Sequence, residues 1–219
     1  IMAIPIEAVI FDMDGVIIDS ELSNIKNLHQ YVLTYNSAVT LEEMFDTVGR
    51  SAADCWERIR ALMRDFRPWE EIRQEYRDTV KNELRLDYRQ IFRPQMNLVL
   101  PALKIMGFKL AVASSSDLKT VRTVLSETGI AAWFDTVVSG ESFSESKPNP
   151  AIYHHTAALL HVKEHNCLVL EDSTAGILAA KAAGMPTVAL ADNRFPFEQW
   201  RADFQIKEIL ELLKIAKHY

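Results

Sequence analysis

Ala8-Val9-Ile10-Phe11-Asp12-Met13-Asp14-Gly15-Val16-Ile17-Ile18-Asp19-Ser20-Glu21 is the stretch whose reading decides the fold. Ala8 to Phe11 is a short apolar run with the character of a strand buried on both faces, as in a parallel sheet. Asp12 and Asp14 stand where that strand runs out, with Gly15 directly behind. Residues two apart on an extended chain project to one side, so both carboxylates face one point beyond the strand's C-terminal end. Open α/β sheets bind their ligands there. Two like charges repel, and neither is cheaply buried alone, so a cation beside them is expected. Hard oxygen donors without His or Cys nearby favour Mg²⁺ over zinc. Asp-Gly is also common in turns, and a plain turn is the competing reading.

Working outward, the chain changes character after Glu21. From Leu22 to about Gln90 apolar residues recur at helical spacing. Helices are expected from Leu22 to Leu33, from Thr40 with a Thr40/Glu43 capping box, over Ser51–Asp65, and from Trp69 to about Tyr88. The Glu71/Glu75 and Arg73/Arg77 rows of the last one read as a solvated face. After Pro94 helix and strand alternate. Strands are expected at Lys109–Ala113, Thr136–Ser139, Cys167–Leu170 and Thr187–Leu190, and an amphipathic helix over Ile206–Ala216. This pattern implies a doubly wound parallel sheet, an α/β core at 1–18 and 92–219 with a small helical domain inserted at 19–91.

The 219 residues are 48% apolar and 25% charged with net charge −6, the composition of an ordinary globular protein with no nucleic-acid surface. Two cysteines, Cys55 and Cys167, are too few for a disulfide framework or a zinc site. No run approaches the ~18 apolar residues of a membrane span, and no secretory leader is evident, so a cytoplasmic protein without membrane partners is expected.

Asp12-Met13-Asp14-Gly15-Val16 with Asp19-Ser20-Glu21 resembles the first motif of the haloacid dehalogenase superfamily, in its phosphatase and β-phosphoglucomutase-like branch. The later motifs of that family have counterparts in order. Ser114, directly after the strand Lys109–Ala113, matches the residue that holds the phosphate; helix capping is its alternative role, for which Ser116 or Asp117 is equally suited. Lys147 in Lys147-Pro148-Asn149-Pro150 matches the third motif, though a lone loop lysine is commonly solvated. Glu171-Asp172 matches the fourth, an acidic pair at the metal, with helix capping by Asp172 as the competitor. The resemblance covers the whole chain and implies a Rossmann-like core with a helical cap.

It implies a Mg²⁺-dependent phosphatase acting on a small phosphorylated metabolite, such as a sugar phosphate. Asp12 would attack phosphorus and Asp14 would serve the leaving oxygen, with Ser114 and Lys147 on the phosphate. Asp12, Asp14, Asp172 and Glu171 would hold the metal, Asp172 directly and Glu171 through water. Ser115, Asn24, Gly49 and Arg50 are candidates for the rest of the substrate. The family's mutases are the alternative. They carry His where this chain has Asn24, Gly-x-Ser-Arg near Gly49-Arg50-Ser51-Ala52, and Lys-Asn at Asp117-Leu118. A mutase must grip a bisphosphate at both ends, so these departures favour a phosphatase. A catalytically silent binding protein is the remote alternative, and every motif residue is intact. Pro94-Gln95 departs from the family's Pro-Gly. A monomer or weak dimer is expected.

Overall fold

A computed structural model describes residues 5–48, 52–81 and 86–218. Ala8–Phe11 forms β1, the middle of a six-stranded sheet with β2 (Lys109–Ser114), β3 (Thr136–Ser139), β4 (Cys167–Glu171), β5 (Thr187–Leu190) and β6 (Phe204–Ile206). Every pairing is parallel and the order is β3-β2-β1-β4-β5-β6. The chain winds outward from β1 to β3, then returns to place β4 on β1's other side. That reversal makes the β1–β4 crevice the topological switch point, where the carboxyl ends of such sheets bind ligands.

Burial follows the pleat. Val9, Phe11, Leu110, Val112, Leu168 and Leu170 face a core closed by α5 (Met96–Ile105), α6 (Leu118–Glu127) and α9 (Leu212–His218). Ala8, Ile10, Ala111, Ala113, Cys167 and Val169 face the other, closed by α7 (Ala151–Leu160) and α8 (Thr174–Ala182). All four residues of β1 are fully buried, as its continuous apolar run requires. Cys167 is a buried free thiol whose pKa burial pushes up to about 12, so it packs as a small inert hydrophobe.

Two compact units result. One contains the described residues up to Asp19, Tyr88–Asp192 and those from Phe197 onward; the other contains Ser20–Asp87 with Asn193–Pro196. Set against the expected insert of 19–91, Asp19 and 88–91 sort with the sheet. The reason is local: Asp19 N–H donates to Ile91 C=O at 2.7 Å and Arg93 N–H to Ile17 C=O at 3.0 Å, so the outgoing and returning passages pair side by side. Gln95 has φ −59°, which needs no glycine, and its side chain accepts from Ile209 N–H at 3.2 Å.

The second unit holds α1 (Glu21–Leu33), α2 (Leu41–Phe45), α3 (Ala52–Met63) and α4 (Trp69–Tyr76), the last running into a π-helical turn at Arg77–Lys81. The Thr40/Glu43 capping box forms as expected. Three expectations are corrected. The helix from Trp69 stops short of Tyr88, which lies in a turn of the sheet unit. Glu75 is only partly solvated, while Glu71 and Arg77 are exposed: it accepts from Tyr35, Arg67 and Tyr31, which hold its carboxyl below the ordinary range against the effect of burial. Ile206 belongs to the edge strand β6, and the final helix begins only at Leu212.

Candidate active site

The sheet register sets the geometry. Phe11 pairs with Val112 on one side and Leu170 on the other, so Asp12, Ala113 and Glu171 stand level at the carboxyl ends of three adjacent strands. Lys147 reaches all three. Its ammonium donates to Asp12 Oδ1 at 2.6 Å, to Ala113 C=O at 3.0 Å and to Glu171 Oε1 at 2.7 Å, which uses every N–H it has. Its side chain is 6% exposed, so the solvated-lysine reading fails. Tyr153, fully buried on α7, lies beneath with its ring centroid 5.0 Å from Nζ, and its hydroxyl donates to Glu171 Oε1 at 2.9 Å. Nothing in the sequence marked Tyr153 beyond its place in an apolar helix.

Glu171 Oε2 accepts from Asp172 N–H, Ser173 N–H and Ser173 Oγ at 3.0, 3.1 and 3.1 Å. With Lys147 and Tyr153 on Oε1, its lone pairs are spent. What Glu171 contributes to the space beside it is therefore negative charge. The capping alternative for Asp172 falls away: the N-cap of α8 is Ser173, whose Oγ accepts from Gly176 N–H at 3.0 Å. Likewise Asp117 caps α6, accepting from Thr120 N–H at 2.8 Å, which leaves Ser114 to other work. Ser114 is fully buried at the end of β2, its Oγ accepting from Ser116 N–H at 3.1 Å. Ser115 is exposed.

Asp14, read in the sequence as a fourth metal ligand, stands outside the acidic trio. It is half-buried, and Ser116 Oγ donates to its Oδ2 at 2.9 Å while Ser139 Oγ holds Ser116 C=O at 2.7 Å. Ser116 thus fixes the second aspartate, a role the Ser114-Ser115-Ser116 run did not single out. Asn24 is an exposed residue of α1 in the helical unit, and Gly49 and Arg50 lie outside the described residues.

Charge is uneven here. Burial pushes the Asp12 carboxyl well above the ordinary range; Lys147 partly offsets this, and Glu171 and Asp14 add to it. Burial acts on Glu171 in the same sense, but Lys147 and its other donors hold it below the ordinary value. Burial opposes the Lys147 ammonium, and Asp12 and Glu171 outweigh it, raising its pKa well above that of a free lysine. Four carboxylates against one ammonium leave an excess of negative charge. Among the described residues, Asp12, Glu171 and Asp172 bring ligand oxygens within 4.8 Å of one another, all buried. An all-oxygen set of this kind fits a hard divalent cation.

Two glycines make room for these acids. A Cβ on Gly15, at φ +83°, would overlap the Asp172 carboxylate, and one on Gly176 would overlap that of Glu171. In an exposed helix Gly→Ala gains about 1 kcal/mol. Here Gly176→Ala is expected to lower the melting temperature, because the Glu171 carboxylate is pinned at both oxygens. Thermal denaturation with Glu171→Gln as the companion variant checks it: a stabilised Gly176→Ala protein would mean that Glu171 can move aside.

The profile of the haloacid dehalogenase-like hydrolases matches residues 9–190. The chain belongs to that family. YhcW of Bacillus subtilis (strain 168) is 30% identical over 227 residues, spanning 97% of both chains. Hexitol phosphatase B of Escherichia coli (strain K12) is 30% identical, spanning 94% of this chain and 93% of its own. The crystal structure of β-phosphoglucomutase from Clostridium difficile superposes with a TM-score of 0.70 at 23% identity, covering 98% of each chain. At that identity the structural likeness speaks for the fold. No helix among the described residues is long and apolar enough to cross a membrane.

Proposed function

We propose that this hydrolase is a phosphatase that cleaves small phosphate monoesters through an aspartyl-phosphate on Asp12, with Mg²⁺ as its cation. The observation that carries the reading is the pairing of a clamped carboxylate with a mobile-proton partner: Asp12 held by Lys147, and Asp14 held by Ser116 two residues on. Asp12 has one fixed oxygen and one that can attack phosphorus in line, transferring the phosphoryl group to the carboxylate and releasing an alkoxide. Asp14, on its own hydrogen bond and outside the metal trio, donates the proton to that leaving oxygen. It then takes one from the water that hydrolyses the acyl phosphate. Lys147, and Ser114 at the turn into α6, neutralise charge on the equatorial oxygens. Asp12 and Asp172 would hold Mg²⁺, which supplies further positive charge to the phosphoryl oxygens when bound.

Relatives named as phosphatases support this class, and the hexitol phosphatase points to sugar-alcohol or sugar phosphates. The mutase alternative loses ground at Asp117. Where those enzymes place a basic residue, this chain has a carboxylate committed to capping α6. The test is phosphate release from a panel of sugar phosphates, nucleotides and short-chain monoesters, with Mg²⁺ and with EDTA. Turnover lost in EDTA and restored by Mg²⁺ supports the reading. Isomerisation of glucose 1-phosphate faster than phosphate release would replace it with the mutase.

Asp172→Ala separates metal holding from capping. Loss of a helix cap costs about 1 kcal/mol, and here that cost attaches to Ser173→Ala. Asp172→Ala is expected to raise the Mg²⁺ concentration for half-maximal turnover by about ten-fold or more while moving the melting temperature little. A variant with unchanged Mg²⁺ dependence would remove Asp172 from the cation site.

A further inference from the structure

Asp172 enters its turn with both peptide groups held by side chains. Its N–H is bound by Glu171, and its C=O accepts from Gln199 Nε2 at 2.5 Å. The same Nε2 donates its second hydrogen to Leu190 C=O at 2.8 Å, the last residue of β5. Gln199 Oε1 accepts from Gln205 Nε2 of β6 at 2.9 Å. This network fixes the amide's orientation, since a flipped amide would set its oxygen against two carbonyls. Gln199 is 9% exposed, and a buried amide is costly unless its polar atoms are paired. Here the pairing ties the turn after β4 to the ends of β5 and β6. Gly15 adjoins the side chain itself, since a Cβ there would meet the Asp172 carboxylate.

We infer that Gln199 is a positioning residue for the cation site, setting through the Asp172 carbonyl where the Asp172 carboxylate stands. Gln199 acts through the backbone, since both hydrogens of its amide go to carbonyls. With the Asp172 backbone held on both sides, its side chain samples few orientations, and less order is lost when a cation binds. Without the amide the carbonyl is released, the turn gains freedom, and the carboxylate is no longer presented at one point. The inference rests on reading Asp172 as a cation ligand.

The test titrates the full chain with Mn²⁺ or Mg²⁺ in the absence of substrate, by calorimetry. Gln199→Met keeps length and volume while removing both donors. It is expected to weaken cation binding on the order of ten-fold, to shrink the rise in melting temperature that Mg²⁺ produces, and to leave kcat at saturating Mg²⁺ within about two-fold. Gln205→Leu, at an exposed position, removes only the donor that orients the amide; a shift of about two- to three-fold in the same direction is expected. A protein that melts earlier but binds Mn²⁺ with wild-type affinity overturns the inference, because a purely structural amide would behave that way. Should Gln199→Met not fold, unchanged affinity in Gln205→Leu overturns it equally. Wild-type protein that binds neither ion removes the cation reading itself, a failure visible before any variant is made.

Discussion

Asp12→Asn is expected to abolish phosphate release, by a factor on the order of 10⁴ or more, while the protein remains folded. Factors of this size follow loss of a nucleophile that has no substitute. An amide does not attack phosphorus, and it lacks the charge that Asp12 offers to a cation. The fold survives because burial already disfavours the Asp12 charge, and Lys147 keeps Glu171 as its counter-ion. Phosphate release measured beside a thermal melt checks both halves. Near-native turnover in this variant would end the covalent mechanism proposed here; an unfolded protein would show that the Asp12–Lys147 pair is chiefly structural.

Lys147→Met should be the most damaging single change to stability. It removes three hydrogen bonds at once from the ends of β2, β1 and β4, and leaves two buried carboxylates without a counter-ion. Breaking a buried pair on one side costs about 3–5 kcal/mol. The sign of the pH dependence is a second check. With the ammonium gone, burial acts on Glu171 against only its Tyr153, Asp172 and Ser173 donors, so its carboxyl rises, while Asp12 rises further. A group whose folded pKa is raised contributes stability at low pH and loses it as pH rises through that value. The deficit against wild type should therefore be largest near neutrality and shrink as the solution is acidified. Equal deficits at pH 5.5 and 7.5, by urea denaturation, would show that the two carboxylates find other partners. Lys147→Arg does not rescue, because a planar fork cannot place three donors at three strand ends.

Much of this molecule was legible in the chain. Five of the six strands were visible as apolar runs, and the strand–helix alternation implied their parallel order. Asp12, Asp14, Lys147 and Asp172 were marked by type and position, because each stands at a strand end or in a proline-bounded loop. β6 escaped notice since Phe204 and Gln205 are exposed on the sheet's edge, where no burial imposes an apolar pattern.

What the tertiary structure decided is the work assigned to neighbours. Adjacent acids and serines are interchangeable on paper: Asp172 or Ser173 could cap α8, and Ser114, Ser116 or Asp117 could cap α6. Packing chose Ser173 and Asp117, and so released Asp172 and Ser114. Lys147 meets Asp12 across 135 residues and Glu171 across 24, while Gln199 meets Asp172 across 27. Local periodicity reports which face of an element is buried, and by itself determined the sheet and the places where acids emerge from it. It holds no record of which buried polar groups meet. That depends on strand order and register, which bring distant residues to one level at the carboxyl ends of the central strands, where burial makes each unpaired donor or charge too costly to leave unmet.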